Sequence, residues 1–354
     1  MPVHDNSLSL LFVTIASNLF GYGHLNRCLS IAEHAKSEGA TARFLLFGDE
    51  RAQGRINAAG HSCYLRSISE LEEGGEITFA GSADAVISDL VHATFFARTP
   101  PLELFKQFRS ISAVSVAIDA LGDQALVAQA PKVDVDLMVI PYATLDTSSR
   151  GGDYRLLSGP QYALLAPDYA ALPPRTVRFH ADQVLVSCGG SDPMGYTLVV
   201  LRGIEQISEK LQVRVVLGPL FSAGICAEIE SWAANSRHEM VLVSAPEVLL
   251  DEMLWCDLAI AASGLTKYEL AATGTPALLF SIDDLHDQIN RPFAMIGTSV
   301  DLGVNITSEL VSRQTEMLLG DFDSRKAMSV TGKQVVDGLG AKRLIAEIRR
   351  ELSC

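Results

Sequence analysis

Positive charge is scarce in this chain. Its 354 residues carry 28 Lys and Arg against 42 Asp and Glu, a formal net charge of −14. A surface of that sign repels nucleic-acid phosphates, so nucleic acid is not an expected partner. Small anions remain open, because backbone amides bind them without net positive charge. Cysteine is sparse too. The six residues Cys28, Cys63, Cys188, Cys226, Cys256 and Cys354 stand far apart, which leaves neither a CxxC redox motif nor a zinc cluster. No apolar run reaches the ~18 residues expected of an integral membrane segment. The opening MPVHDNSLSL holds His4 and Asp5 and lacks a basic stretch, so no secretory signal is expected. The expectation is a cytoplasmic protein with reduced thiols. Apolar material, by contrast, is plentiful: 48% of residues are hydrophobic and 20% charged, enough for two packed cores at roughly 150 residues per domain.

That material is laid out in short runs alternating with helical patterns. Residues 8–15 form a nearly continuous apolar run that ends in Ala16, Ser17 and Asn18, as a strand buried on both faces does. Over residues 25–38, Leu25, Cys28, Leu29, Ile31, Ala32 and Ala35 recur at helical spacing, and the pattern stops at Gly39. Further strands are expected at 42–47, 85–88, 113–118 and 136–140. The second half repeats the scheme at 183–187, 213–217, 240–244, 258–261 and 277–280, with a helix from about Thr197. Residues 166–175, with three prolines in ten, read as a linker. The expected fold class is α/β: two Rossmann-like, doubly wound parallel-sheet domains facing across a cleft, at 1–168 and 176–330.

In open parallel sheets, ligands bind beyond the carboxyl ends of the strands, where helix N-termini point. Four loops qualify. In the first (18–27, NLFGYGHLNR), Gly21 and Gly23 follow a predicted strand and open a predicted helix. Asn26 stands where GxGxxG would have its third glycine, so the pair alone is weak evidence for a nucleotide. His24 sits at the helix start, where the dipole disfavours imidazolium. A neutral imidazole there suits a general base; taken alone, the residues fit a helix-capping surface histidine at least as well. Arg27, three residues on, suits contact with a phosphate or carboxylate, or simply with solvent.

The second loop (187–193, SCGGSDP) sets Gly189 and Gly190 after a strand, with Ser191 and Asp192 as N-cap oxygens before the next helix. A phosphate cradle and an ordinary turn fit alike; Cys188 reads as a small buried residue. The third (261–270, AASGLTKYEL) presents Ser263, Gly264 and Thr266 toward a diphosphate, with Glu269 placed to accept both hydroxyls of a ribose. Its alternative is a capped helix with Glu269 in an ion pair. The fourth (283–288, DDLHDQ) pairs carboxylates that suit a divalent cation, but in an acidic chain it reads as a solvated loop; Gln288 is grouped with the nucleotide-binding residues. Tyr268, Trp232 and Trp255 fall in apolar helical patterns and read as core.

Taken in order, GYGHLNRCLSIA (21–32), CGGSDP (188–193) and AASGLTKYELAATGTPALLFS (261–281) resemble the GT-B superfamily. Within it, the match is to the UDP-sugar hydrolase of pseudaminic acid biosynthesis and its spore-coat polysaccharide relatives. SGPQYALL (158–165) and VDGLGAKR (336–343) extend the resemblance over most of the chain. It implies a UDP-sugar with UDP held mostly by the C-terminal half. Gly189, Gly190, Ser263, Gly264 and Thr266 would cradle the diphosphate, with Ser191, Asp192 and Gln288 alongside, and Glu269 would hold the ribose. His24 would activate water for attack at the anomeric carbon, with Gly21, Gly23, Arg27, Asp89, Asp119 and Tyr162 on the sugar side. The resemblance implies no metal and no other cofactor, because helix dipoles and amides stabilise the departing UDP. As in GT-B relatives, a terminal segment (331–354, helix about 341–352) is expected to pack back on the first domain.

Two departures fall on the sugar side. The hydrolases commonly carry Arg-x-Asp-x-Ser before the glycine loop, where this chain has Val13 and Ile15. After the third strand they resemble Asp-His/Ser-Tyr, where this chain reads Asp89-Leu90-Val91-His92. Both leave the sugar and the acceptor open. Three functions are therefore in play: hydrolysis of a UDP-amino-deoxy-sugar in surface-glycan or nonulosonic acid biosynthesis, GT-B glycosyl transfer to an acceptor hydroxyl, and non-catalytic nucleotide-sugar binding. An acceptor or membrane patch would favour transfer. Residues 93–98 with Phe105 and Phe108 are the candidate, and equally a buried helix face.

Overall fold

The computed structural model describes residues 7–18, 20–73, 81–90, 102–118, 134–143, 154–170, 172–246 and 248–353. The chain divides into two compact units, Met1–Pro167 with Gly338–Cys354, and Asp168–Asp337. Among the described residues, no helix is long and apolar enough to cross a membrane.

The first unit is built on seven strands: β1 (Ser9–Ala16), β2 (Thr41–Gly48), β3 (Ser62–Arg66), β4 (Ala83–Asp89), β5 (Ser112–Ile118), β6 (Leu137–Ile140) and β7 (Arg155–Ser158). Their order is β3-β2-β1-β4-β5-β6-β7, and every pairing is parallel. Central β1 is buried from Leu10 to Ala16, which is why its sequence is a continuous apolar run rather than an alternating one. Among the described residues, the helices that accompany these strands are α1 (Gly23–Ser37), α2 (Glu50–Ala58), α3 (Ile68–Glu73) and α4 (Leu102–Ile111). Leu25, Cys28, Ile31, Ala32 and Ala35 form the buried face of α1. The rings of Phe105 and Phe108 on α4 are fully buried and meet edge to face at 5.6 Å, so they belong to the core; residues 93–98 lie outside the described residues.

The second unit carries β8 (Gln183–Ser187), β9 (Gln212–Leu217), β10 (Glu239–Ser244), β11 (Leu258–Ala262), β12 (Ala277–Phe280) and β13 (Val300–Asp301), in the order β10-β9-β8-β11-β12-β13, again all parallel. Its helices are α5 (Tyr196–Glu205), α6 (Ala223–Asn235), α7 (Leu250–Trp255), α8 (Thr266–Thr273), α9 (Asp284–Phe293), α10 (Ser308–Gly320) and α11 (Phe322–Val335). Val184, Val186, Leu201, Ile204, Val215, Ile260, Leu278, Phe280 and Val311 form the centre of its core. Arg325 is fully buried, its guanidinium donating to the carbonyls of Leu318, Leu319, Arg178 and Phe179, so the charge is met by oxygens at the end of α10.

The last helix, α12 (Gly340–Glu351), belongs to the first unit. Ala341, Leu344, Ile345 and Ile348 are its buried stripe. Its first residue presses on the turn Pro160–Tyr162: a Cβ at Gly340 would stand 2.2 Å from the Ala163 carbonyl oxygen, so no other side chain fits. Arg343 donates to the Gln161 carbonyl at 2.8 Å, Arg155 pairs with Glu347 at 2.6 Å, and Arg349 pairs with Glu38 on the surface. The segments SGPQYALL and VDGLGAKR are thus two sides of one contact.

Both units are doubly wound, Rossmann-like sheets, as the strand–helix alternation predicts. In each, the order of strands reverses once, between β1 and β4 and between β8 and β11. Such reversal points are where open α/β sheets bind ligands. The loop after β1, the last residue of β4 and the loops after β8 and β11 hold all but a few of the candidate residues.

Candidate active site

In the second unit, β8 runs into Ser187-Cys188-Gly189-Gly190. Gly189 has φ +86° and both glycines are exposed. A Cβ on Gly218, after β9, would lie 2.4 Å from the Gly190 carbonyl oxygen and 2.5 Å from that of Gly189. The Leu220 amide donates to the Gly190 oxygen at 2.9 Å. These contacts fix the direction in which the loop's peptides face, and they depend on Gly218 having no side chain. Cys188 is buried and its thiol is pushed up by that burial, with Asp192 adding to the effect.

The two helix starts at the reversal point are finished differently. Asp192, buried and with φ +41°, accepts hydrogen bonds from the amides of Tyr196 and Thr197 at 2.8 Å each. Its carboxylate therefore occupies the amides of α5 from within, and Ser191 beside it is half-buried. The N-cap residue of α8 is Leu265, whose side chain makes no cap. Ahead of that helix, Ser263 is buried and its hydroxyl oxygen has no hydrogen-bond partner, while Gly264 is exposed and Thr266 half-buried. In the first turn, buried Lys267 donates through Nζ to Asn290 Oδ1 at 2.6 Å and lies 4.8 Å from the Tyr268 ring centroid. Asn290 in turn donates to Ser281 Oγ at 2.9 Å. An open helix N-terminus, an orphan hydroxyl and a buried ammonium gather positive potential in one turn. Lys267 was not singled out by the sequence, where it reads as one more charged helix residue.

Glu269 follows on the same helix and is half-buried. Burial pushes its carboxyl up to about 7, against the opposing pull of the Tyr169 hydroxyl. Tyr169 itself is buried, its own hydroxyl raised by burial and by the Glu269 charge.

The acidic loop ahead of α9 is a helix cap. Asp283 accepts from the His286 amide at 2.8 Å and pairs with its ring Nδ1 at 2.7 Å, while Asp287 pairs with Arg291. Gln288 is exposed. Among the described residues, no three His, Cys, Asp or Glu side chains converge where they could hold a metal ion.

In the first unit, Gly21 (φ +70°) returns its amide to the Ser17 carbonyl at 2.8 Å, and Gly23 opens α1. His24 is buried and does not cap the helix: the N-cap position is Tyr22, without a side-chain cap. Instead His24 Nδ1 lies 2.6 Å from Oδ1 of Asp89, the fully buried last residue of β4. Arg27, one turn along α1, donates from Nε to Asp89 Oδ2 at 2.7 Å and from Nη2 to Oδ1 at 2.8 Å. Nη2 also stands 2.9 Å from His24 Nδ1, because both nitrogens converge on the same oxygen. A carboxylate oxygen at 2.6 Å requires a proton on Nδ1, so the tautomer places the imidazole lone pair on Nε2. Burial alone would raise the Asp89 carboxyl; the Arg27 guanidinium and His24 overcome it and hold it below the usual carboxylate range. The buried Arg27 is likewise raised by Asp89.

Two neighbours carry no sequence signal of their own: Cys28, a buried thiol pushed well up by burial and by Asp89, and Tyr142, in the turn after β6, whose phenol interacts electrostatically with Arg27. Tyr162 lies half-buried in the turn that receives α12. Asp119 and His92 lie outside the described residues.

No protein-family model matches the chain. Spore coat polysaccharide biosynthesis protein SpsG of Bacillus subtilis is 26% identical over 198 residues, which is 55% of this chain and 58% of that protein's length. The structure of LpCGTa in complex with UDP superposes with a TM-score of 0.65 at 13% identity, covering 98% of this chain and 100% of that one. CalG4, the calicheamicin glycosyltransferase, gives 0.61 at 13% identity over 98% and 99%. The fold is GT-B.

Proposed function

We propose that this protein is a nucleotide-sugar-dependent enzyme of polysaccharide assembly, which passes a sugar from UDP to an acceptor hydroxyl in the cytoplasm. The contrast between the two helix starts of the second unit carries the reading: α5 is closed by Asp192, whereas α8 starts from Leu265, whose side chain makes no cap, behind the unpartnered hydroxyl of Ser263. That turn, with Lys267 beneath it, suits a diphosphate. Glu269, one turn on, suits the paired hydroxyls of a ribose, and the exposed Gly189-Gly190 loop offers backbone from the other side of the strand reversal.

In the first unit His24 is the catalytic residue. Its Nε2 takes the proton of the acceptor hydroxyl as that oxygen attacks the anomeric carbon. The bond from the anomeric carbon to the β-phosphate oxygen breaks, and its electron pair leaves with UDP, stabilised by the α8 amides and Lys267. The proton on Nε2 then passes to solvent. A single displacement of this kind inverts the anomeric centre.

Likeness to CalG4, described as a glycosyltransferase, to LpCGTa, solved with UDP, and to SpsG, named for spore coat polysaccharide biosynthesis, supports transfer. Hydrolysis of a UDP-amino-deoxy-sugar is the second reading. It rests on the Gly21–Arg27 element, which resembles that of the UDP-sugar hydrolases, with water in place of the acceptor. An NMR time course with a panel of UDP-amino-sugars, with and without glycan acceptors, separates the two. Release of UDP only with an acceptor means transfer, and UDP with free sugar in its absence means hydrolysis. Failure to bind UDP overturns both.

A further inference from the structure

The sequence assigns Arg27 to substrate, yet its guanidinium is turned inward. Nε and Nη2 both donate to Asp89, at 2.7 and 2.8 Å, and the Arg27 side chain is only 15% exposed. We propose that Arg27 is a positioning residue: it clamps the Asp89 carboxylate in the one orientation that receives His24 Nδ1–H, and so fixes the tautomer that has its lone pair on Nε2. The assignment rests on the reading of His24 as the base.

The argument is geometric first. A carboxylate held by one hydrogen bond rotates about its Cβ–Cγ bond; held at both oxygens by a planar guanidinium, it does not. Asp89 Oδ1 then faces His24 in a fixed direction, and the imidazole plane follows. The second part is the acceptor. Arg27 and His24 hold the Asp89 carboxyl below its usual range against the effect of burial, so its oxygens accept from Nδ1–H rather than donate to it.

Long-range proton–nitrogen NMR of the full chain tests this without any substrate. His24 is one of eight histidines and is assigned by the signal lost in His24→Gln. The wild-type spectrum is expected to show Nδ1–H. In Arg27→Gln, which removes the two-point clamp, the two tautomers are expected to mix, with an Nε2–H signal appearing beside Nδ1–H. Arg27→Lys, which keeps the charge but not the clamp, is expected to mix them as well. An unchanged tautomer in Arg27→Gln overturns the proposal; if that variant does not fold, an unchanged tautomer in Arg27→Lys does so. In a turnover assay, Arg27→Gln should lower kcat while sparing KM for the nucleotide sugar. A raised KM with an unchanged kcat would return Arg27 to the substrate. Absence of turnover with every nucleotide sugar would sink the enzymatic reading and leave the NMR result standing.

Discussion

His24 and Asp89, 65 residues apart in sequence, meet at 2.6 Å where the strand order of the first unit reverses. One stands at the start of the helix after β1, the other at the end of β4, and register partners Thr14 and Asp89 bring those two ends together. A histidine oriented by a buried carboxylate is equipped for proton transfer.

The pair makes distinguishable demands on mutation. His24→Gln is expected to lower kcat by about 10²–10⁴ and to leave UDP affinity unchanged. Asp89→Asn should lower kcat as well and also destabilise the first unit by roughly 3–5 kcal/mol, because Arg27 is left as a buried, uncompensated charge. Isothermal titration with UDP and urea unfolding read the two effects separately. Full turnover in His24→Gln would remove it from the role of base.

In the second unit, the two helix starts give opposite expectations. Asp192→Ala removes the carboxylate from the Tyr196 and Thr197 amides and should cost about 0.5–2 kcal/mol of stability, with little change in UDP affinity. Ser263→Ala should leave stability unchanged or slightly raised, since its hydroxyl has no partner, and should weaken UDP binding. The reverse pattern would move the phosphates to α5.

Glu269 gives the proposed nucleotide site a pH dependence. Its folded-state pKa, raised to about 7 by burial, means that the folded protein retains a proton the unfolded chain releases near 4.3. The stabilisation from this group is complete below about pH 4 and is lost as pH rises through 7. Binding runs the other way: a carboxylate accepts both ribose hydroxyls and a protonated carboxyl does not, so affinity for a UDP-sugar should fall as pH drops from 8 to 6. Glu269→Gln should abolish that slope and weaken binding by about 1.5–3 kcal/mol. A UDP-sugar is the probe of choice because free UDP has a terminal phosphate that titrates near pH 6. A slope retained in Glu269→Gln would place the titrating group elsewhere.

Close backbone approaches set the third contrast. Gly340→Ala forces a methyl against the Ala163 carbonyl, and Gly218→Ala against those of Gly189 and Gly190. Each should cost about 1–3 kcal/mol by overpacking. Only Gly218→Ala should also weaken UDP binding, because only there does the displaced loop belong to the proposed nucleotide site. Equal effects of both on UDP affinity would contradict that division.

Much of the fold is legible in the sequence where burial is one-sided in its demands. β1 declares itself by an unbroken apolar run and α1 by Leu25, Cys28, Ile31, Ala32 and Ala35. The strands without a clear sequence signal are the outer ones. β3 (SCYLR) and β7 (RLLS) are mostly half-exposed, and β13 is two residues long; an edge that meets solvent needs no apolar run. At the site, glycines and small hydroxyl residues after strands are readable as a class. Which of them stays open to a ligand is not, because a cap and a phosphate cradle draw on the same residue types. The backbone decides: Asp192 at φ +41° folds its carboxylate over the amides ahead, whereas the N-cap before Thr266 is Leu265, which has no oxygen to offer. The inward turn of Arg27 is equally silent in sequence, since its partner comes from another strand.

The return of α12 to the first unit has a consequence for biosynthesis. The second unit is one uninterrupted segment, Asp168–Asp337, whereas the first is completed by Gly338–Cys354. During synthesis from the amino terminus, the later-made unit has its whole chain available while the earlier one still lacks the helix whose Leu344, Ile345 and Ile348 fill its core and for which Gly340 leaves room. The portion translated first is therefore the portion sealed last, and a nascent chain interrupted before Gly338 carries a complete second unit and an unclosed first one.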